Sequence, residues 1–230
     1  MNDVEAVRAQ YASERNLETR RSVWHPTADG RDPVEVAAAV VRATGARAVL
    51  EVGCGTGAFA ERLVGQDPEA TVVATDQSER LVELTAARGV DARVADVQDL
   101  PFADASFDLV AALWMLYHVP DLDRGLAEVR RVLRPGGRFL AVTTGDEHTA
   151  GLRRDAGGEA LVTQFSSENG EEALRRHFDH VSREELRTRA VFPDHGAAQA
   201  YLDTMGGEWR LPHFDGPREY AGHVTVFLAS

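Results

Sequence analysis

The chain has 230 residues, 43% of them apolar and 27% charged, enough to build a full hydrophobic core in one large domain or two small ones. A formal net charge of −12 argues against a nucleic-acid substrate, which needs a basic face, and no apolar run approaches the ~20 residues of a membrane span. The single cysteine, Cys54, excludes an internal disulfide, and with an N-terminus lacking a signal-peptide profile it predicts a cytoplasmic protein.

In chain order, residues 3–24 read as an N-terminal helical extension. Asp32-Pro33-Val34-Glu35 reads as a helix start, with an N-cap acid, proline at the first helical position and a glutamate closing a capping box. That helix runs to Thr44 and stops at Gly45. Residues 48–52 form a strand, 57–64 a helix, 71–75 a second strand, and 78–88 a helix capped by Ser78. Further strands fall at 92–95 and 107–113, then a helix at 122–133 that Pro135-Gly136-Gly137 breaks, then a continuously apolar strand at 138–143. This alternation predicts a parallel sheet covered by helices on both faces. After Gly145 the rhythm changes to a helix at 171–178, a strand at 184–192, a short helix at 197–205 and a last strand at 223–228. The expected organisation is one domain over 1–230: a helical cap (3–24), a core (33–145) and a C-terminal half (146–230).

Val49-Leu50-Glu51-Val52-Gly53-Cys54-Gly55-Thr56-Gly57-Ala58 is the most informative segment. A buried strand ends in a turn where Gly53, Gly55 and Gly57 let the backbone bend and approach a ligand. Gly53, Gly55 and Ala58 also satisfy a loose dinucleotide fingerprint, so the turn alone leaves a nicotinamide cofactor open. The acids around it point elsewhere. Glu51 precedes the turn, Asp76 ends the second strand at the offset where a carboxylate holds ribose hydroxyls, and Asp96 ends the third. Three acids repel a diphosphate and suit a ligand with a ribose, an adenine and a positive charge.

Val49–Ala60, Asp76, Ala95-Asp96, Leu100-Pro101-Phe102, Ser106-Phe107-Asp108 and Arg131-Val132-Leu133-Arg134-Pro135-Gly136-Gly137 occur in an order that resembles the class I S-adenosylmethionine-dependent methyltransferases, the small-molecule "type 11" branch above all. The likeness covers about residues 35–145. It is extended by Glu168-Asn169-Gly170 and Leu174-Arg175-Arg176-His177-Phe178. It implies a Rossmann-like α/β fold with seven strands, mostly parallel, the last antiparallel. It also implies S-adenosylmethionine as cofactor. By position, Gly53, Gly55 and Gly57 would pass under its methionine part, and Asp76 with Gln77 would hold the ribose. Asp96 would meet the adenine amine, Val97 would pack on the ring, Leu113 would lie near the methionyl group, and Glu51 would orient the loop.

Methyl transfer from a sulfonium needs alignment and at most one proton acceptor. His118, after the fourth strand, is the first base candidate, and His148, after the fifth, the second. Tyr11 and Arg15 are candidates for the methionine carboxylate. Trp209, His213, Phe214 and Tyr220 are candidates for a pocket wall. His177 and His180 lack a third ligand at fitting spacing, so no metal is expected, and Cys54 reads as a packing residue. The arginine clusters 130/131/134, 153/154 and 175/176 read as solvated helix faces.

The expected activity is methylation of an O, N or C atom of a small metabolite by a monomer or homodimer without nucleic-acid or membrane partners. The alanine- and arginine-rich composition suggests a high-GC bacterium and secondary metabolism. The rivals are a cofactor-binding regulator without activity, an RNA methyltransferase, and an NAD(P)-dependent oxidoreductase. The last normally shows a Tyr-x-x-x-Lys site, and this chain has no lysine.

Overall fold

The glycine turn sits in a computed structural model of the chain that describes residues 19–20, 22–205 and 208–230. The strands are β1 (Trp24–His25), β2 (Ala48–Val52), β3 (Thr71–Asp76), β4 (Asp91–Val94), β5 (Phe107–Leu113), β6 (Leu133–Thr144), β7 (Val181–Phe192) and β8 (Arg218–Ala229). The helices are α1 (Pro33–Thr44), α2 (Ala58–Gln66), α3 (Glu79–Ala86), α4 (Leu122–Val132), α5 (Ala150–Asp155), α6 (Gly170–Arg175) and α7 (His195–Asp203). A 3-10 turn spans Leu116–His118.

All eight strands share one sheet in the order β1-β7-β8-β6-β5-β2-β3-β4. The pairs β5–β6, β2–β5, β2–β3 and β3–β4 are parallel, whereas β8 runs antiparallel to both β6 and β7. The strand order reverses beside β2, where it turns outward to β3 on one side and β5 on the other, so the crevice at the carboxyl ends of these strands is where a ligand binds in such sheets.

Strand alternation feeds two cores, one on each face. Leu50, Val52, Val110 and Ala112 pack with Leu126 and Val129 of α4. Val49, Leu109 and Ala111 pack with Ala38 and Val41 of α1 and Leu63 of α2. A third cluster, built on Val23, Leu152, Phe192, Tyr201, Leu211 and Phe214, holds the C-terminal half against β7. The first helix forms as its start signal dictates: Asp32 accepts Val34 N–H at 2.8 Å and Glu35 N–H at 3.2 Å, and Gly45 closes it at φ 67°.

Several elements differ from expectation. The sheet has eight strands, not seven, because Trp24–His25 adds an edge strand against Ala190 and Arg189 where a helical extension was expected. Residues 3–18 and 21 of that extension lie outside the described residues. The helix ends at Val132, ahead of Pro135-Gly136-Gly137, and that triplet lies inside β6, which begins at Leu133. Gly136 sits at φ 78° and the register against β5 shifts between Phe107 and Leu109. β7 and β8 are 12 residues each because they pair along their whole length, and the charged outward positions Arg183, Glu184 and Glu185 hid the alternation. The unforeseen α5 is six residues long, and no side-chain bond caps its start at Thr149. Among the described residues no helix is long and apolar enough to cross a membrane.

Candidate active site

A cavity of ≈ 1240 Å³ opens at the carboxyl ends of the parallel strands. That exceeds the ~300–1,000 Å³ usual for one drug-sized ligand and leaves room for two. Gly53, Gly55, Asp76-Gln77, Val97, Leu113 and His118 line it, as do His148, Tyr201 and Trp209 from the C-terminal half.

The turn is held by backbone and by one acid. Cys54 N–H donates to Thr75 O at 2.9 Å, tying the turn to β3. Asp76 Oδ2 accepts Gly55 N–H at 2.9 Å and Oδ1 accepts Ser78 N–H at 3.0 Å. Each oxygen keeps a second lone-pair direction for a ligand hydroxyl. Burial raises the Asp76 pKa above the ordinary carboxylate value, and the N–H bonds from Ser78, Gly55 and Gln77 offset part of that. Glu51 is buried at the end of β2 and lines the same cavity.

The glycines divide by role. Gly55 stands at φ 56°, and a Cβ there would meet nothing within 4 Å, so the cavity in front of it is open. At Gly57, φ 77°, a Cβ would stand 2.6 Å from Thr85 Oγ1. Gly57 is the N-cap of α2, and its closeness to Thr85 gives it a packing role in the turn. Thr85, absent from the expected set, braces the turn by donating to Gly55 O at 3.2 Å and lying 3.4 Å from Cys54 Sγ. Cys54 is a buried thiol whose pKa burial pushes up to about 12, far from a nucleophile.

Asp96 lies between Ala95 and Val97, both of which line the cavity. Its carboxylate accepts Gln98 N–H at 2.9 Å and both oxygens take the Gln98 amide, at 3.1 and 3.0 Å. Gln98 in turn accepts Asp121 N–H at 2.9 Å, so this acid organises a loop. Leu113 closes β5, followed by Trp114 at φ 54°, a left-handed conformation that costs a non-glycine residue roughly 1–2 kcal/mol. Trp114 and Met115 both line the cavity, and nothing in their residue types announced that backbone.

Both candidate bases are weakened. Burial, with the nearby Arg20 charge adding to it, pushes the His118 imidazole down to about 4. His148 is pushed down to about 3, chiefly by burial. His148 Nδ1 stands 3.1 Å from both the carbonyl oxygen and the backbone nitrogen of His223, so the β8 backbone holds the ring in either tautomer.

Of the expected pocket-wall aromatics only Trp209 lines the cavity. Phe214 lies 4.1 Å under the Arg218 guanidinium, Tyr220 donates to Asp155 at 2.8 Å, and His213 is exposed. Arg153, expected on a solvated face beside Arg154, is only 4% exposed and lines the cavity, whereas Arg154 pairs with Glu147 at the surface. Tyr11 and Arg15 lie outside the described residues; Arg20 is the described cation from that segment that reaches the cavity. His177 meets Asp123 at 3.0 Å, and among the described residues no group of three or more His, Cys, Asp or Glu is placed to hold a metal.

Residues 50–141 match the family model described as "Methyltransferase domain". Over 104 residues the chain is 39% identical to the ubiquinone/menaquinone biosynthesis C-methyltransferase UbiE of Desulfotalea psychrophila, covering 44% of this chain and 42% of that protein. Over 168 residues it is 33% identical to the malonyl-[acyl-carrier protein] O-methyltransferase of Methylococcus capsulatus, covering 69% of this chain and 61% of that one. The match thus spans about half the length of these two relatives. The fold is shared with the [4+2]-cyclase SpnF at TM-score 0.65 and 18% identity, over 100% of this chain and 95% of that chain.

Proposed function

We propose that the chain is a class I S-adenosylmethionine-dependent methyltransferase of the type 11 kind that transfers a methyl group to an O, N or C atom of a small metabolite, a reading supported by the methyltransferase-domain match over residues 50–141. The observation that carries this reading is the pair of acids, buried Glu51 and half-buried Asp76, flanking an open glycine turn at the switch point of the sheet. A pyrophosphate would be repelled there; a cationic nucleoside is not.

Asp76 would accept the ribose hydroxyls while continuing to hold Gly55 and Ser78. Gln77 would lie alongside, Val97 would pack on the adenine, and Leu113 would lie by the methionyl chain. Gly53 and Gly55 would give passage, and Glu51 would complement the positive charge. When bound, S-adenosylmethionine supplies an electrophilic methyl group and so the activation for transfer. Trp114, Met115 and Tyr117 wall the space and exclude water from it. His118, neutral at pH 7, can take a hydrogen bond from an acceptor's O–H or N–H and align it, but its depressed basicity makes it a poor proton sink. Alignment in this reading outweighs base catalysis. Asp96 and Gly57 act on this site through loop structure.

The relatives, a ubiquinone/menaquinone biosynthesis C-methyltransferase and a malonyl-[acyl-carrier protein] O-methyltransferase, support a small-molecule acceptor. The net charge of −12 speaks against a nucleic acid, and a lone buried thiol suits a reducing compartment such as the cytoplasm. We treat 33–145 as the cofactor half and 146–230 as the acceptor half of one domain, acting as a monomer or homodimer. The weak bases favour one second reading, a cofactor-binding regulator without turnover. Calorimetry decides the first point: S-adenosylhomocysteine should bind at micromolar scale and NADH should not. Transfer of labelled methyl from S-adenosylmethionine into a metabolite extract decides between enzyme and regulator.

A further inference from the structure

The C-terminal wall of the cavity contains a cation that the methyl-transfer reading leaves without a task. Arg153, on α5, is 4% exposed. Its Nε donates to Glu159 O at 3.2 Å, Nη1 to Thr149 Oγ1 at 3.1 Å and Nη2 to His148 O at 2.8 Å. All three acceptors are neutral. A guanidinium has five N–H groups, so two more, one on each terminal nitrogen, are available to a ligand. Among the described residues no carboxylate lies within 4.0 Å of it. Glu147, the acid that acts on it from a distance, is paired with Arg154. Burying a charge without a counter-charge is costly, and proteins keep such an arrangement where a ligand completes it.

The surroundings agree. Among the described residues, the cavity wall contributed by 144–224 includes no Asp or Glu, and the acids that line the cavity lie between Asp32 and Glu79. Tyr201 is buried beside Arg153 with its phenol pushed up to about 12, so it is neutral and supplies no counter-charge. Trp24 stacks on His148 at 4.3 Å between ring centroids and meets Tyr201 edge-on at 6.4 Å, and Trp209 also lines the cavity. Flat apolar surfaces thus lie next to an unbalanced guanidinium.

We infer that Arg153 receives a carboxylate carried by the methyl acceptor, whose planar apolar body lies against Trp24, Tyr201 and Trp209. The inference rests on the methyl-transfer reading for the word acceptor, but the anion site stands on its own geometry. A carboxylate matches two N–H groups presented on neighbouring nitrogens. The cofactor's own carboxylate has the same chemistry. Arg153 is anchored to the Thr149 segment, which bonds to Ala221 of β8, three strand spacings (about 14 Å) from the glycine-bearing β2. That places it on the acceptor side.

The test is calorimetry on the full chain with and without saturating S-adenosylhomocysteine, using 4-hydroxyphenylacetate, indole-3-acetate and 3-phenylpropionate against their primary amides. With a protein of net charge −12, long-range repulsion disfavours the acids. Wild type should bind at least one acid ~10-fold or more tighter than its amide, the scale of a charged hydrogen-bond pair. Arg153→Met should reduce that preference below about 2-fold with S-adenosylhomocysteine affinity unchanged, and Arg153→Lys should retain part of it. No acid preference in wild type overturns the inference, and that arm needs no variant to fold. A loss of S-adenosylhomocysteine affinity in both folded variants overturns it in favour of the cofactor's carboxylate. Failure of S-adenosylhomocysteine to bind wild type sinks the methyl-transfer reading instead, and the acid-over-amide comparison is then read without it.

Discussion

The two ends of the cavity are built in opposite ways. The glycine-turn end is made within one stretch of chain: β2, its turn and β3 meet through backbone bonds from Cys54 to Thr75 and from Gly55 to Asp76, 21 residues apart. The other end joins Trp24 to His148 and Tyr201, across parts of the chain that meet only once the sheet has formed. Local backbone architecture constrains which residues are allowed, whereas side chains gathered from afar can change without disturbing the sheet. The first end suits a fixed ligand and the second a variable one.

The sharpest way to break this contrast is to disturb the packing under the turn. Gly57→Ala forces a side chain into a left-handed conformation and onto Thr85, and should cost about 2–4 kcal/mol of stability in urea unfolding. An unperturbed midpoint would mean that the turn is softer than its contacts imply. Next, Asp76→Ala should weaken S-adenosylmethionine binding by about 1–3 kcal/mol in calorimetry, since it removes a charged acceptor and loosens Gly55.

Acid should then distinguish the buried histidines from the surface. The folded His118 titrates near 4 and the unfolded one near 6.5, so on acidification the unfolded chain binds a proton that the folded chain refuses. Stability is therefore full above about pH 6.5 and falls towards pH 4. His118→Gln should remove about 1–3 kcal/mol of that loss in denaturation curves measured at both pH values. The smallest effect belongs to Asp96→Asn, whose carboxylate is engaged by Gln98. Cofactor affinity should change by less than about 2-fold. A loss as large as that of Asp76→Ala would return Asp96 to the adenine.

What the sequence made legible follows the same division. Asp32 and Gly45 delimit α1, and the apolar runs 48–52, 71–75 and 107–113 become buried strands, because caps and periodicity act over a few residues. Gly55 and Asp76 come together because the spacing of a strand, turn and helix puts them side by side. Arg153 could not be separated from Arg154 by local pattern, since α5 is one and a half turns long and only the packing of Leu152 beneath β7 and β8 decides which arginine is covered. Asp96 was legible as an acid at a strand end, but Gln98, two residues on, competes for it in a way no periodicity reports. The Trp24–His25 strand is too short for any pattern and exists because β7 has a free edge to pair.

Cys54, the chain's one thiol, lies 4% exposed inside the glycine turn and against Thr85. The molecule therefore has a built-in chemical clock for that turn. An alkylating reagent can label it only when the loop swings away from α3, and a ligand that clasps the loop should slow the labelling in proportion to its grip.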